Sequence, residues 1–298
     1  MADVWTSIPD RTTSDNYSNT DANAWSQAVR ILGGNGTSQP SSDIESIWSL
    51  VSSLNTNIKY LTSADDPFTI TDSDGYGTYI CDSSGGDINI TLPTLADNQK
   101  RAIEIIHSVG GNVVNVDGEG AESIDGLSDI DLPKQADRIK ILGSTSLWAI
   151  QEERISCQLR LDTYAGYGST DTDIMRFTNK REGYGNMFAE NHTSGYASNA
   201  EGLEIVVARQ GKYSFTFWIQ VDTNMSIGLS LNSSQLTTGI VSINITDALA
   251  IEKNATAADY ISCSWTGWLA ASDTIRAHSN AVAPVGNIAG FTATYIGN

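Results

Sequence analysis

Hydrophobic positions along this chain change period twice. Residues 1–20 are polar and irregular, with Trp5 and Ile8 as anchors. Over 21–32, Trp25, Val29 and Leu32 share one face behind Asp21, which predicts a short helix. Gly33 and Gly34 end it, and Pro40 marks a new start. Ser42 and Glu45 then stand at capping-box spacing. Behind them Ile44, Ile47, Val51, Leu54, Ile58 and Leu61 recur at intervals of 3, 4, 3, 4 and 3. That average puts six apolar residues on one stripe and predicts a heptad helix over 44–61 that joins copies of the chain. The flanks are Ser, Asn and Thr, poor helix formers, so so short a helix needs its neighbours to stay folded. The mixed Ile, Val and Leu core does not set the number of strands; Trp48 beside the stripe widens the seam and favours three. The competing reading is an ordinary amphipathic helix packed on a domain.

From residue 66 the period becomes two. Strands are predicted at 68–72, 76–82, 88–93, 102–106, 112–118, 129–133, 138–142 and 147–152, with Asp74-Gly75 as a turn. Strands this short and this dense predict a compact β-module over 66–153. Further alternating runs lie at 155–162, 203–208, 212–221, 226–231, 239–246, 260–270, 274–279 and 291–296. Eight strands without an intervening helix predict a two-sheet jelly roll over 154–298. The fold class expected is therefore mainly β. Short N-terminal helices, including a trimeric coiled coil (41–65), would precede the small β-module and the jelly-roll sandwich.

Composition narrows the functional classes. The formal net charge of −18 opposes nucleic-acid binding, which needs clustered Lys and Arg. Cys81, Cys157 and Cys263 are odd in number and widely spaced, which reads as buried free thiols in a reducing compartment. The first residues have neither a basic n-region nor an apolar core, so no secretory signal is expected, and no apolar run approaches membrane-spanning length. His107, His192 and His278 stand far apart, outside any metal or nucleophile motif. No phosphate-binding glycine motif is present either. No cofactor, metal or catalytic residue is expected. Asp171, Asp173, Glu182, Glu190, Glu201 and Glu204 are acids available to a glycosidase, but nothing in the sequence selects a pair. A solvated loop is the expected role of Asp171-Thr-Asp173, which lacks the calcium-loop pattern.

The stretch 163–200 is the most binding-like. It sets Tyr164, Tyr167, Tyr184, His192 and Tyr196 among Gly, Ser, Asn and Asp. Tyr gives rigid amphipathic contact area and small polar neighbours give adaptable hydrogen bonds, so these five are candidate receptor contacts. The competing role for the tyrosines is in the core or a subunit seam.

Two resemblances add to this reading. Residues 79–150 resemble a small β-domain of bacteriophage tail-fibre proteins. The likeness is carried by DSSGG at 82–86, INITLP at 88–93, NVVNVDG at 112–118, SIDG at 123–126 and LGSTSLWAI at 142–150. The helix, GGNGT and Pro40 of 25–40 are similar to the N-terminal part of such fibres. Second, GKYSFTF at 211–217, WTGWLAASDTI at 265–275 and FTATYIG at 291–297 resemble strands of the tumour-necrosis-factor and C1q jelly roll, whose final strand lies at a trimer centre. The stretch 163–202 is longer and more polar than that family's pattern.

The resemblances imply a structural, non-enzymatic homotrimer: a virion fibre, of tail-fibre type, attaching to a host surface. Residues 1–40 would dock on tail, connector or capsid proteins, and the head would meet a host glycan or protein, with no membrane insertion. Assembly would take place in the host cytoplasm and the product would sit on the virion. The jelly roll would do most of the trimerising, leaving the heptad as a register device. A capsid head fibre or decoration protein is the first alternative. A polysaccharide depolymerase is the second, disfavoured because the sequence displays no β-helix repeat.

Overall fold

The computed structural model describes residues 58–75, 77–163, 172–190, 202–221, 225–254, 259–280 and 288–298. Tyr60–Asn298 form one compact unit. Its first half winds back and forth between two sheets. β1 (Ile58–Thr62), β3 (Thr78–Asp82), β5 (Ala102–Val109), β8 (Arg138–Gly143) and β9 (Trp148–Arg154) make one sheet in that order. β2 (Phe68–Thr69), β4 (Ile88–Thr91), β6 (Val114–Asp117) and β7 (Asp129–Leu132) make the other. β3 runs parallel to β5, and β2, β4 and β6 are parallel to one another, so the chain makes successive coils. β7, β8 and β9 then reverse direction and close the stack with antiparallel pairs.

Alternation dictates what faces inward. Register stacks Ile88 on Val114 on Leu132, and Ile90 on Val116 on Ile130. Tyr79, Ile105 and Ile139 stack in the opposite sheet. All nine are wholly buried, and β-branched residues suit such ladders because their shape fits a pleated surface.

The second half is antiparallel throughout its strand pairs. β11 (Asn179–Tyr184), β10 (Gln158–Thr163), β19 (Ala289–Gly297), β14 (Gly211–Val221) and β17 (Asp259–Leu269) form one five-stranded sheet. β12 (Phe188–Glu190), β13 (Ile205–Val207), β18 (Thr274–Ser279), β15 (Met225–Leu231) and β16 (Ala248–Asn254) form the second. The pairing is nested: β10 with β19, β13 with β18, β14 with β17 and β15 with β16. First-with-last pairing folded inward onto two sheets is the jelly roll, with β11 and β12 added at the edges. Its core is aromatic. Phe177 packs edge-on to Phe217 at 6.2 Å and lies 5.8 Å from Phe291, while Phe215 lies 6.1 Å from Phe291.

Several expectations need correction. Ile58 and Leu61 end no helix; they lie in β1. Residues three apart share a helix face but point to opposite sides of a strand, so Leu61 is buried and Ile58 is exposed. A strand thus precedes residue 66 in the module's first sheet. The remaining heptad positions Ile44, Ile47, Val51 and Leu54, with the 1–40 segment, lie outside the described residues. The run 239–246 is not a strand but a series of turns ending in a 3-10 turn at Ile245–Asp247. Its buried residues, Ile240 and Ile243, are spaced by three, and Ser242 N–H donates to the Gly239 carbonyl at 2.8 Å. The parallel pairs form a short coiled stack whose repeat the sequence does not display.

Candidate functional site

The joint between coil module and jelly roll holds a buried polar network. Arg209, on the turn between β13 and β14, has only 3% of its side chain exposed. Its guanidinium donates to Asp125 Oδ2 at 2.8 Å and to Glu153 Oε2 at 2.5 Å, both carboxylates belonging to the module. Tyr295 on β19 joins them: its hydroxyl lies 3.1 Å from the guanidinium and donates to Glu153 Oε1. Burial, then Glu153, push the Tyr295 hydroxyl well above the usual phenol range. The Tyr213 hydroxyl lies 2.6 Å from the Arg209 carbonyl and fixes the turn. A buried charge so fully paired ties two cores together.

Beside this joint opens a cleft of about 380 Å³, lined by Val113 and Asp131 of the module and Gln158, Lys180, Tyr184 and Glu190 of the jelly roll. The turn after β11 shapes it. Gly185 has φ +76°, and a Cβ there would come within 2.8 Å of Cys157 Cβ, so only glycine turns the chain this tightly against β10. The next residue, Asn186, clamps β7: its amide donates to the Asp129 carbonyl and to Asp129 Oδ2, both at 3.0 Å, and accepts from Asp131 N–H at 3.2 Å.

Tyr184 is held on two sides. Its hydroxyl donates to Gln158 Oε1 at 2.8 Å, and Lys134 Nζ sits 4.1 Å from the ring centroid. Lys180 on β11 and Glu190 on β12 form an ion pair at 2.9 Å between the edge strands of the two sheets. Asp131 Oδ1 accepts from Asn115 Nδ2 at 3.0 Å. Burial, aided by Asp129 and Asp87, raises the Asp131 carboxyl above the usual carboxylate range.

Of the five candidate receptor contacts, Tyr184 alone falls on described residues and reaches this cleft. Tyr164, Tyr167, His192 and Tyr196 lie outside them, as do Asp171 and Glu201. Among the remaining acids, Glu182 stands opposite Arg160, Glu204 pairs with Arg276, and burial raises the Asp173 carboxyl. Among the described residues, no group of three His, Cys, Asp or Glu side chains is placed to hold a metal. Cys81, Cys157 and Cys263 are buried free thiols, pushed up to about 12 by burial, far from nucleophilic.

Sequence reasoning missed Asp131, Gln158, Lys180 and the Arg209 lock, because the contacts that unite them span both halves of the chain. It also missed a Ser–His pair. Ser83 Oγ lies 2.9 Å from His107 Nε2, and His107 Nδ1 lies 2.9 Å from the Leu132 carbonyl. Both side chains are wholly buried, Ser83 also bonds the Asn112 carbonyl, and the third position is a backbone oxygen rather than a carboxylate. The pair is a core hydrogen-bond network with no route for a substrate.

No protein-family model matches the chain, and no curated protein matches it. Solved structures similar to about half of it include the globular domain of zebrafish complement 1qA, at 13% identity and TM-score 0.32, covering 48% of this chain and 99% of that one. Murine APRIL at pH 5.0 is similar at 16% identity and TM-score 0.30, covering 47% and 99%. GITRL from bushbaby is similar at 12% identity and TM-score 0.27, covering 48% and 96%. The nested strand pairing defines the class of the molecule: a jelly-roll domain seated on a short stack of β-coils, with a polar cleft at their joint.

Proposed function

We propose that this chain is a non-enzymatic attachment protein, a homotrimeric bacteriophage virion fibre of tail-fibre type. Residues 1–40 dock on the particle, the heptad through Leu54 sets the register of three chains, and the coil module carries the jelly-roll head to the host surface. The observation that supports this best is the mount. A binding head locked to its support by a buried Arg209–Glu153–Asp125–Tyr295 network holds a fixed orientation. Three such heads raise avidity without new contacts. The sequence resemblances to fibre proteins point the same way.

The decisive experiment is competition. Purified chain added to host cells should block adsorption of the parent particle, and light scattering should give about three times 31.9 kDa. A stable monomer that leaves adsorption unchanged would overturn the reading. Gold label on the capsid rather than the tail, in electron micrographs of particles, would convert it to a head fibre.

A further inference from the structure

We infer that the cleft around Tyr184, between coil module and jelly roll, binds a neutral saccharide. The inference rests on the attachment reading for its biological role and names the ligand class of that site. Its chemistry comes from the groups left over once internal bonds are made. Asp131 uses Oδ1 for Asn115, and among the described residues its Oδ2 accepts nothing. Gln158 uses Oε1 for the Tyr184 hydroxyl, and among the described residues its amide N–H₂ has no partner. The Tyr184 oxygen donates its one proton to Gln158 and keeps its lone pairs. Lys180 spends one N–H on Glu190 and keeps two. The cleft thus offers acceptors and donors side by side on planar, anchored groups. A sugar hydroxyl is both donor and acceptor, so adjacent hydroxyls match such a lining, whereas a purely acidic or purely basic pocket satisfies half of them.

Shape and charge restrict the class further. At about 380 Å³ the cleft is at the small end of ligand sites, room for one or two sugar rings. The Tyr184 ring, fixed at its hydroxyl and by Lys134, is an apolar wall that is already ordered, so stacking a sugar on it costs little conformational entropy. Asp131 and Glu190 against Lys180 and Lys134 leave the cleft without net positive charge, within a chain of net charge −18. Sialylated or phosphorylated glycans are repelled and uncharged ones are not.

Titration calorimetry on the full chain tests this. The probes are oligosaccharides ending in glucose, galactose, mannose or N-acetylglucosamine, beside sialylated and phosphorylated counterparts. At least one neutral probe should bind and the anionic ones should not. Asp131→Asn turns an acceptor into a donor and should weaken binding about tenfold, the loss of one hydrogen bond to a charged group. Ala189→Trp fills the cleft from an exposed position and should abolish binding while circular dichroism stays unchanged. Binding that survives both variants, binding of anionic probes only, or no binding of any probe overturns the inference. Host adsorption by the same variants separates it from the attachment reading. Adsorption intact in Ala189→Trp sinks this cleft but leaves the fibre; sugar binding without any adsorption keeps the cleft and sinks the fibre.

Discussion

The two halves of the unit solve the same problem with different cores. The coil module stacks Ile and Val in parallel ladders, each residue above its counterpart one coil earlier. The jelly roll fills its interior with Phe177, Phe215, Phe217, Phe291, Tyr213 and Tyr295, drawn from segments far apart in sequence. A ladder spreads stability over many similar contacts between neighbouring coils, as in repeat proteins. An aromatic cluster concentrates it in a few large side chains that touch one another. Damage should therefore be graded in the module and abrupt in the head.

The largest expected effect is in the head. Phe291→Ala removes a ring that meets Phe177 and Phe215, and should cost about 3–5 kcal/mol in denaturant unfolding. A cost under about 1 kcal/mol would show that the cluster is not the keystone of the head. Next comes the joint. Arg209→Ala strands Glu153, whose side chain is 8% exposed, and should destabilise by about 3 kcal/mol, the lower end for a broken buried pair because Asp125 is more open. Its calorimetric trace should split into two transitions, one per half; a single cooperative transition at lower temperature would show that apolar contacts alone couple them.

A pH effect is expected in the head. His278 is wholly buried on β18, and burial, with Arg276 nearby, lowers it to about 4. The unfolded chain takes up that proton at its ordinary value of 6.5, so stability is full above about 6.5, falls as pH drops, and levels off below about 4. The loss over that window is about 3 kcal/mol, and His278→Gln should flatten it in urea titrations run from pH 7 to 4. The smallest effect is in the module. Ile105→Val removes one methylene from a ladder and should cost about 1 kcal/mol, with the Tyr79 and Ile139 neighbours closing over the gap. A cost as large as that of Phe291→Ala would erase the contrast between the two cores.

Legibility followed the same division. In the module every strand from β2 to β9 coincides with an alternating run, since a half-buried strand writes its two faces into successive residues. In the head, β11 escaped notice because NKREGY carries no apolar alternation, and β12 has three residues. The strand β16 is as obscure, its ALAIEKN sitting at a sheet edge, while the more alternating 239–246 became turns over the sheet. Of the cleft, Tyr184 was legible as an aromatic in a polar stretch; Asp131 and Gln158 looked like any other acid and amide.

The sequence by itself determined the β class, the buried thiols and the acidity, because alternation and composition are local properties of the chain. Only the tertiary structure decided that Ile58 and Leu61 belong to a strand, that coils run parallel, and that the jelly-roll pairs are nested. Only it brought Asp131 to Gln158 and Arg209 to Glu153. Spacing along a chain records which residues can share a face, but which faces meet is settled by long-range pairing and by the burial it makes possible.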